Sequence, residues 1–146
     1  MSYSVDANLL LYASDRSSPH HAAAAKFLES RAEDPDLFCL CWPALIAYLR
    51  IATHPRIFAD PLSPAEALSN VEALIALPRT RLLAEDEGFL DIYRAVTERA
   101  PVRGNLVPDA HLGGLLRQHG VGTLYTADSD FRRFDFLKLR NPLGPS

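Results

Sequence analysis

The chain has 146 residues, of which 48% are hydrophobic, and this size and composition suit one compact domain over residues 1–146. Its formal net charge of −3 gives no indication of a general attraction to nucleic acid. The longest uncharged stretch, residues 37–49, is too short to span a bilayer, and the N-terminus has no basic region typical of a signal peptide. We therefore expect a cytoplasmic protein with no membrane partner.

Cys39 and Cys41 are the only cysteines, and we expect them to be reduced core residues rather than a zinc site.

Taken in chain order, the patterns predict strands that alternate with helices. Ser18 and Pro19 are predicted to start the second helix, and the run from Ser63 to Glu66 has the features of an N-cap and capping box. The predicted strands cover residues 2–5, 37–40, 80–83, 121–126 and 136–139, and the predicted helices cover residues 7–13, 20–31, 43–53, 64–77, 87–99 and 108–119. This order predicts an α/β fold of three layers (α/β/α) with a central, mostly parallel sheet of four to five strands.

Three aspartates occupy matching local settings. Asp6 and Asp128 follow apolar runs that are predicted strands, and Asp109 opens a predicted helix; Asp130 lies two residues beyond Asp128. Open α/β sheets place their chemistry at the carboxyl ends of the strands, so these acids are expected to meet there. Carboxylates gathered in one crevice repel one another unless a cation lies between them. The pattern therefore predicts a divalent-metal site, although each aspartate taken singly is also a plausible helix cap or turn residue.

Basic residues lie close to the late aspartates in sequence. Arg132 and Arg133 follow Asp130 directly, and Lys138 and Arg140 come soon after. A basic rim beside an acidic pocket is suited to a nuclease, because cations hold the backbone while the metal acts on one phosphate. By default Arg132 and Arg133 are ordinary surface charges; otherwise they contact phosphates, and they are the candidate RNA-binding residues.

The sequence has three short acidic motifs: VDANLLLY at residues 5–12, VPDAHL at 107–112 and TADSDF at 126–131. These resemble the acidic motifs of PIN-domain ribonucleases, especially VapC-type toxins of bacterial toxin–antitoxin pairs. The runs RIATHPRIF at 50–58 and LRNPL at 139–143 are also similar to runs in many members. The likeness covers nearly the whole chain, and the motifs come in the family's order.

The resemblance implies a role for each site residue. Asp6, Asp109 and Asp128 would hold Mg²⁺ or Mn²⁺, and Asp130 would complete the catalytic group, with Asn8 and Thr126 supporting the pocket. The implied activity is that of an endoribonuclease toxin: water attacks an RNA phosphodiester and leaves a 5′-phosphate and a 3′-hydroxyl. The implied partners are RNA, a small VapB-like protein antitoxin, and a second copy of the chain or a toxin–antitoxin hetero-oligomer.

The sequence departs from the family at one position. PIN nucleases usually carry a glutamate on the helix after the second strand, yet residues 42–54 contain no acid, and the equivalent position falls near residues 45–47. This departure motivates an alternative in which the PIN fold cuts weakly or not at all and serves as an RNA- or antitoxin-binding module. A receiver-like signalling domain is a further alternative, but it needs paired early acids and a lysine after the last strand. The only lysines here are Lys26 and Lys138.

Overall fold

The computed structural model describes residues 1–144, so the last two residues of the predicted domain lie outside it. Within this range the chain alternates strands and helices as the sequence predicts. The strands are β1 (Ser2–Val5), β2 (Leu37–Cys41), β3 (Thr80–Leu83), β4 (Thr123–Tyr125) and β5 (Lys138–Arg140). The helices are α1 (Ala7–Ser14), α2 (His21–Glu29), α3 (Trp42–Ala52), α4 (Pro64–Ile75), α5 (Phe89–Thr97) and α6 (Val107–Gln118), with short 3₁₀ helices at Ser30–Glu33, Gly104–Leu106 and Ser129–Arg133.

The five strands form one sheet in the order β3-β2-β1-β4-β5, and every neighbouring pair is parallel. Strand β1 lies in the centre, where Ser4 is in register with Cys39 of β2 on one side and with Leu124 of β4 on the other. The α/β architecture with a parallel central sheet is therefore confirmed.

Alternating strand residues feed two separate cores, because successive side chains point to opposite faces of a sheet. Tyr3 and Phe38 belong to a cluster with α1 to α4, whereas Cys39 and Leu124 belong to a cluster with α6 and the packed ring of Phe89 on α5. The sheet is thus covered by helices on both faces. Both cysteines are buried and free, as predicted.

The strand order creates a crevice between β1 and β4. The connections from β1 to β2 and from β2 to β3 carry α1 to α4, which share one core, while the connection from β3 to β4 carries α5 and α6, which belong to the other. At such a switch point the chain leaves neighbouring strands toward opposite faces, which opens a crevice at their carboxyl ends. Asp6 follows β1, and Thr126 and Asp128 follow β4, so all three lie at this crevice.

Local hydrogen bonds explain where the predicted boundaries are right and wrong. Ser63 caps α4 as predicted, because its hydroxyl accepts from the backbone N–H of Glu66 at 3.1 Å. The predicted cap at Ser18 is wrong: its hydroxyl accepts from the N–H of His20 at 3.1 Å, which closes a turn, and α2 begins only at His21. Helix α5 begins at Phe89 rather than residue 87 because Gly88 has φ of 83°, a left-handed conformation that cannot continue a helix. The last strand lies two residues later than predicted at its start, at Lys138–Arg140.

Among the described residues, no helix has both the length and the apolar character needed to cross a membrane.

Candidate metal centre and the adjoining cleft

Asp6 is the most deeply buried acid of the site, with 4% of its surface exposed. It is the N-cap of α1, and its Oδ1 accepts a hydrogen bond from the backbone N–H of Leu9 at 3.2 Å. Its Oδ2 accepts from the hydroxyl of Thr126 at 2.6 Å. Each oxygen of an ionised carboxylate can accept more than one bond, so both keep capacity for a further contact.

The Thr126 hydroxyl links the two sides of the crevice. Besides donating to Asp6, its Oγ1 accepts a hydrogen bond from the backbone N–H of Asp128 at 2.9 Å. Asp128 in turn is the N-cap of the 3₁₀ helix Ser129–Arg133, because its Oδ1 accepts from the N–H of Asp130 at 2.8 Å. This chain of bonds fixes the loop after β4 against the end of β1.

Asp109 lies in the first turn of α6. Pro108 precedes it in that first turn, where a missing N–H costs no helical bond and an acid is favoured by the helix dipole. The buried apolar side of α6, which includes Leu112 and Leu115, packs onto the sheet and aims the first turn at the carboxyl edge of the strands.

Three of the four predicted acids form a compact group. Asp109, Asp128 and Asp130 each offer a carboxylate oxygen, and these oxygens all lie within 4.8 Å of one another. Asp6 is not a member of that group; its carboxylate is buried and accepts hydrogen bonds from Leu9 and Thr126. Carboxylate oxygens are hard donors of the kind that Mg²⁺ and Mn²⁺ prefer, so the residues present fit such a cation.

Burial and like charge both act on the acids of the site. Burial raises the pKa of Asp6 to about 6 from an ordinary value of 3.8, although the hydrogen bonds from Thr126 and Leu9 oppose the rise. Burial also raises the pKa of Asp109 to about 6, and the negative charges of Asp128, Asp130 and Asp6 add to the effect. Such mutual repulsion is what a bound cation would relieve.

The two predicted RNA-contacting arginines lie beside this group. Arg132 and Arg133 are exposed at the end of the 3₁₀ helix that Asp128 begins, and the positive charge of Arg133 partly lowers the pKa of Asp109. Neither guanidinium is in an ion pair within residues 1–144. Both are therefore available to an anionic ligand.

A cleft of about 250 Å³ opens directly beside the acids and shares Asp6 and Asp109 with them. Asn8, the second predicted supporting residue, is exposed on its wall. The other lining residues are mostly small and apolar: Ala7, Pro43, Ala44, Ala47, Val107, Pro108, Leu112 and Phe131, with His111 at one side.

The missing acid on α3 can now be located. Of residues 45–47, Leu45 is fully buried, Ile46 is exposed, and only Ala47 lines the cleft together with Ala44. The methyl group of Ala47 therefore lies where the resemblance to PIN nucleases implies a carboxylate.

The predicted site residues include neither His111 nor Glu85. The structure pairs them: His111 Nε2 and Glu85 Oε1 form a hydrogen bond, and the ring of Phe89 packs edge-on against the imidazole. An ionised carboxylate can only accept, so Nε2 carries the proton, and the bond holds the pKa of Glu85 below its usual value. The signal that could have found this pair is the position of Glu85, two residues after the end of β3, at the same sheet edge as the aspartates.

The chain is similar to known proteins over nearly its whole length. The family model for the PIN domain matches residues 3–137. The chain is 41% identical over 144 residues to Ribonuclease VapC48 of Mycobacterium tuberculosis, which covers 99% of both proteins, and 33% identical over 138 residues to Ribonuclease VapC37 of the same organism, covering 94% of this chain and 95% of that protein.

Solved structures with low sequence identity share the fold. VapBC2 from Rickettsia felis, bound to a DNA fragment from its promoter, matches with a TM-score of 0.68 at 17% identity and covers 97% of this chain and 98% of that one. Mycobacterium tuberculosis VapC20, described as a sarcin-ricin loop cleaving toxin, matches with a TM-score of 0.61 at 16% identity and covers 89% and 92%. The family match and the full-length relatives together establish that this chain belongs to the PIN-domain family, among the VapC ribonucleases.

Proposed function

We propose that this protein is a metal-dependent endoribonuclease toxin of the VapC type, a single PIN-like domain that a small protein antitoxin neutralises. The observation that carries the proposal is the group formed by Asp109, Asp128 and Asp130, whose carboxylate oxygens lie within 4.8 Å of one another at the switch point of a parallel sheet. The ribonuclease names of the full-length relatives supply the substrate class.

The proposed ligands of Mg²⁺ or Mn²⁺ are Asp6, Asp109 and Asp128, and Asp130 is proposed to complete the catalytic group. Asp6 can take part because each of its oxygens accepts one hydrogen bond and keeps a free lone pair. When bound, the cation supplies positive charge that favours ionisation of an attacking water and stabilises a phosphorane-like transition state. Mg²⁺ retains several of its waters in proteins, so few carboxylates suffice.

The remaining residues position the acids and the substrate. Thr126 holds Asp6 and the loop of Asp128 in one arrangement through its hydroxyl. Arg132 and Arg133 are proposed to contact RNA phosphates on either side of the cut, because both are exposed beside the acids. Asn8 lines the cleft next to Asp6 and is proposed to support the bound strand.

The proposed partner is a VapB-like antitoxin, since the structural relatives include VapBC complexes. A second concave surface, the α1–α4 groove, is proposed to receive it. The α1–α4 groove has a volume of about 640 Å³, an apolar floor and a charged rim; its lining includes Leu10, Ala13, Leu28, Leu74 and Leu77, with Arg16, Glu29 and Glu66 at the rim. Apolar anchors in a groove with a polar rim are typical of helix-in-groove recognition. The cytoplasm is the proposed location, which the two free cysteines suit.

Cleavage of RNA by the purified, antitoxin-free protein is the direct test. Total RNA is incubated with the protein in Mg²⁺, in Mn²⁺ and in EDTA, together with the variants Asp109→Asn and Asp128→Asn. Asp60→Asn, at an exposed loop position away from the cleft, is the matched control. Discrete metal-dependent cuts that both site variants lose and the control keeps are expected.

A negative result has a defined meaning. If well-folded protein cuts no RNA with either metal, the proposal of a nuclease fails, and the binding-module alternative is favoured by the absence of an acid from the cleft wall formed by α3.

Antitoxin binding is tested separately at the α1–α4 groove. Ala73→Glu places a charge among the groove residues and is expected to weaken the complex with the antitoxin while leaving metal-dependent cleavage unchanged. Ala95→Glu, the same substitution at an exposed position on α5, is the control. Equal binding by both variants would place the antitoxin elsewhere.

A further inference from the structure

We propose that the cleft beside the acids is a subsite for a single unstacked nucleobase of the RNA, belonging to a nucleotide that adjoins the scissile phosphate. The proposal rests on the proposed nuclease function and adds to it a base-reading site. The first support is position: the cleft is lined by Asp6 and by Asp109, which is itself a member of the acidic group. A phosphate held at that group therefore brings a base of a flanking nucleotide to the mouth of the cleft.

The walls of the cleft disfavour the phosphate of a nucleotide and suit its base. They come from α1, α3 and α6 and present mainly methyl, proline and branched apolar groups, including Ala7, Ala44, Ala47 and Val107. Among residues 1–144 no lysine or arginine lines the cleft, whereas Asp6 and Asp109 both do, so an anionic phosphate is repelled. A nucleobase has two apolar faces and a polar edge, which is the combination that such a slot accommodates.

The size of the cleft restricts the occupant to one ring system. Its volume of about 250 Å³ is below the range of about 300–1,000 Å³ that is typical of pockets for drug-sized ligands. The side chain of Ala47 keeps this space open, because any longer side chain at that position of α3 would extend into it. The departure from the family pattern at α3 thus has a structural consequence, which is an uncharged opening next to the acids.

Two polar side chains are placed to read the edge of the base. Asn8 offers an amide that both donates and accepts, and His111 offers its imidazole. Because Glu85 engages Nε2 of His111, the ring is held in place and Nδ1 remains as its free polar atom. Proteins read unstacked RNA bases through such edge contacts. The Glu85–His111 pair is therefore a positioning and specificity device rather than part of the reaction itself.

The first arm of the test uses cleavage of a synthetic RNA that contains the mapped cut site. Single abasic nucleotides are introduced on the 5′ or the 3′ side of the scissile phosphate. Wild-type protein is expected to lose at least about tenfold in kcat/KM, about 1.4 kcal/mol, with one of the two abasic RNAs. Ala47→Leu, which fills the cleft, is expected to cut intact RNA as poorly as wild type cuts that abasic RNA, with no further loss when the two changes are combined.

His111→Ala serves as a second variant that does not depend on tolerance of a larger side chain in α3. It is expected to reduce kcat/KM for intact RNA and to have no additional effect on the abasic RNA. Ala95→Leu on α5 is the matched control for added bulk. Equal cleavage of intact and abasic RNA by the wild type would overturn the proposal, as would wild-type activity of both cleft variants.

The second arm does not depend on cleavage and separates this inference from the nuclease proposal. Metal-free, ¹⁵N-labelled protein is titrated with each of the four ribonucleosides and with ribose. Shifts of the backbone amides of Ala44, Ala47 and His111 with at least one nucleoside, and none with ribose, are expected even if no RNA is cut. The base subsite is refuted if no nucleoside shifts these amides, whatever the cleavage assay gives.

Discussion

Replacing Asp6 by asparagine should stabilise the metal-free protein at neutral pH while removing its activity. The carboxyl group is 4% exposed, and burial raises its pKa from 3.8 to about 6. Between these pH values the native protein binds more protons than the unfolded chain, so the contribution of Asp6 to stability falls as the pH rises through this window. A rise of about two units corresponds to about 3 kcal/mol, at about 1.4 kcal/mol per unit.

Asparagine does not titrate, so the difference between the variant and the wild type should depend on pH. At pH 4 both side chains are neutral in the native state, and the free energies of unfolding should differ little. At pH 7.5 the Asp6→Asn protein should be more stable by up to about 3 kcal/mol.

Urea unfolding followed by far-UV circular dichroism, in EDTA and at several pH values, measures this difference. Asp60→Asn, the same substitution at an exposed loop position, is the control. A difference between Asp6→Asn and wild type that is constant from pH 4 to 7.5 would refute the reasoning, since it would mean that burial does not disfavour the charge.

Three further predictions follow from particular contacts. Thr126→Val removes the hydroxyl that binds Asp6 and the loop of Asp128, and it should cost about 1.5–3 kcal/mol of unfolding free energy. Thr126→Ser keeps the hydroxyl and should cost about 0.8 kcal/mol of unfolding free energy. Equal losses of stability for the two variants in urea titrations would contradict this prediction. Asp130→Asn should weaken Mn²⁺ binding by about tenfold, about 1.4 kcal/mol, in isothermal titration calorimetry, while Asp135→Asn, whose side chain pairs with Arg99 outside the acidic group, should not. The Gly113→Ala protein should have a higher melting temperature than the Gly114→Ala protein. A Cβ at position 113 meets the ring of Phe134 at an acceptable 3.4 Å, but a Cβ at position 114 meets the ring of Phe89 at 3.0 Å. The reverse order of melting temperatures would show that the Phe89 side chain moves aside without cost.

The element order and the fold class could be predicted because they depend on local patterns. Ser63 caps α4 in the predicted way, and the strand at residues 80–83 has the predicted bounds. The errors came from bonds and backbone angles that composition does not reveal, such as the turn closed by Ser18 and the left-handed Gly88.

The candidate site was only partly predictable for the same reason. The sequence places Asp6, Asp109 and Asp128 at the ends of strands and the start of a helix, but it does not give the depth of each side chain. The structure brings Asp130 into the group with Asp109 and Asp128, and it places Asp6 outside that group as a more deeply buried acid. The pairing of His111 with Glu85 joins residues 26 positions apart, and the position of Glu85 just after β3 was its one local signal.

The sequence by itself determined which elements form, in what order, and which acids stand where strands end, since these properties depend on residues a few positions apart. Only the tertiary structure decided that Thr126 bonds to Asp6 across 120 positions and that Ala44 and Ala47 open a cleft beside them. The physical reason is that such contacts depend on strand order and on the packing of α3 and α6 over the sheet, which the whole core specifies together and no local pattern specifies alone.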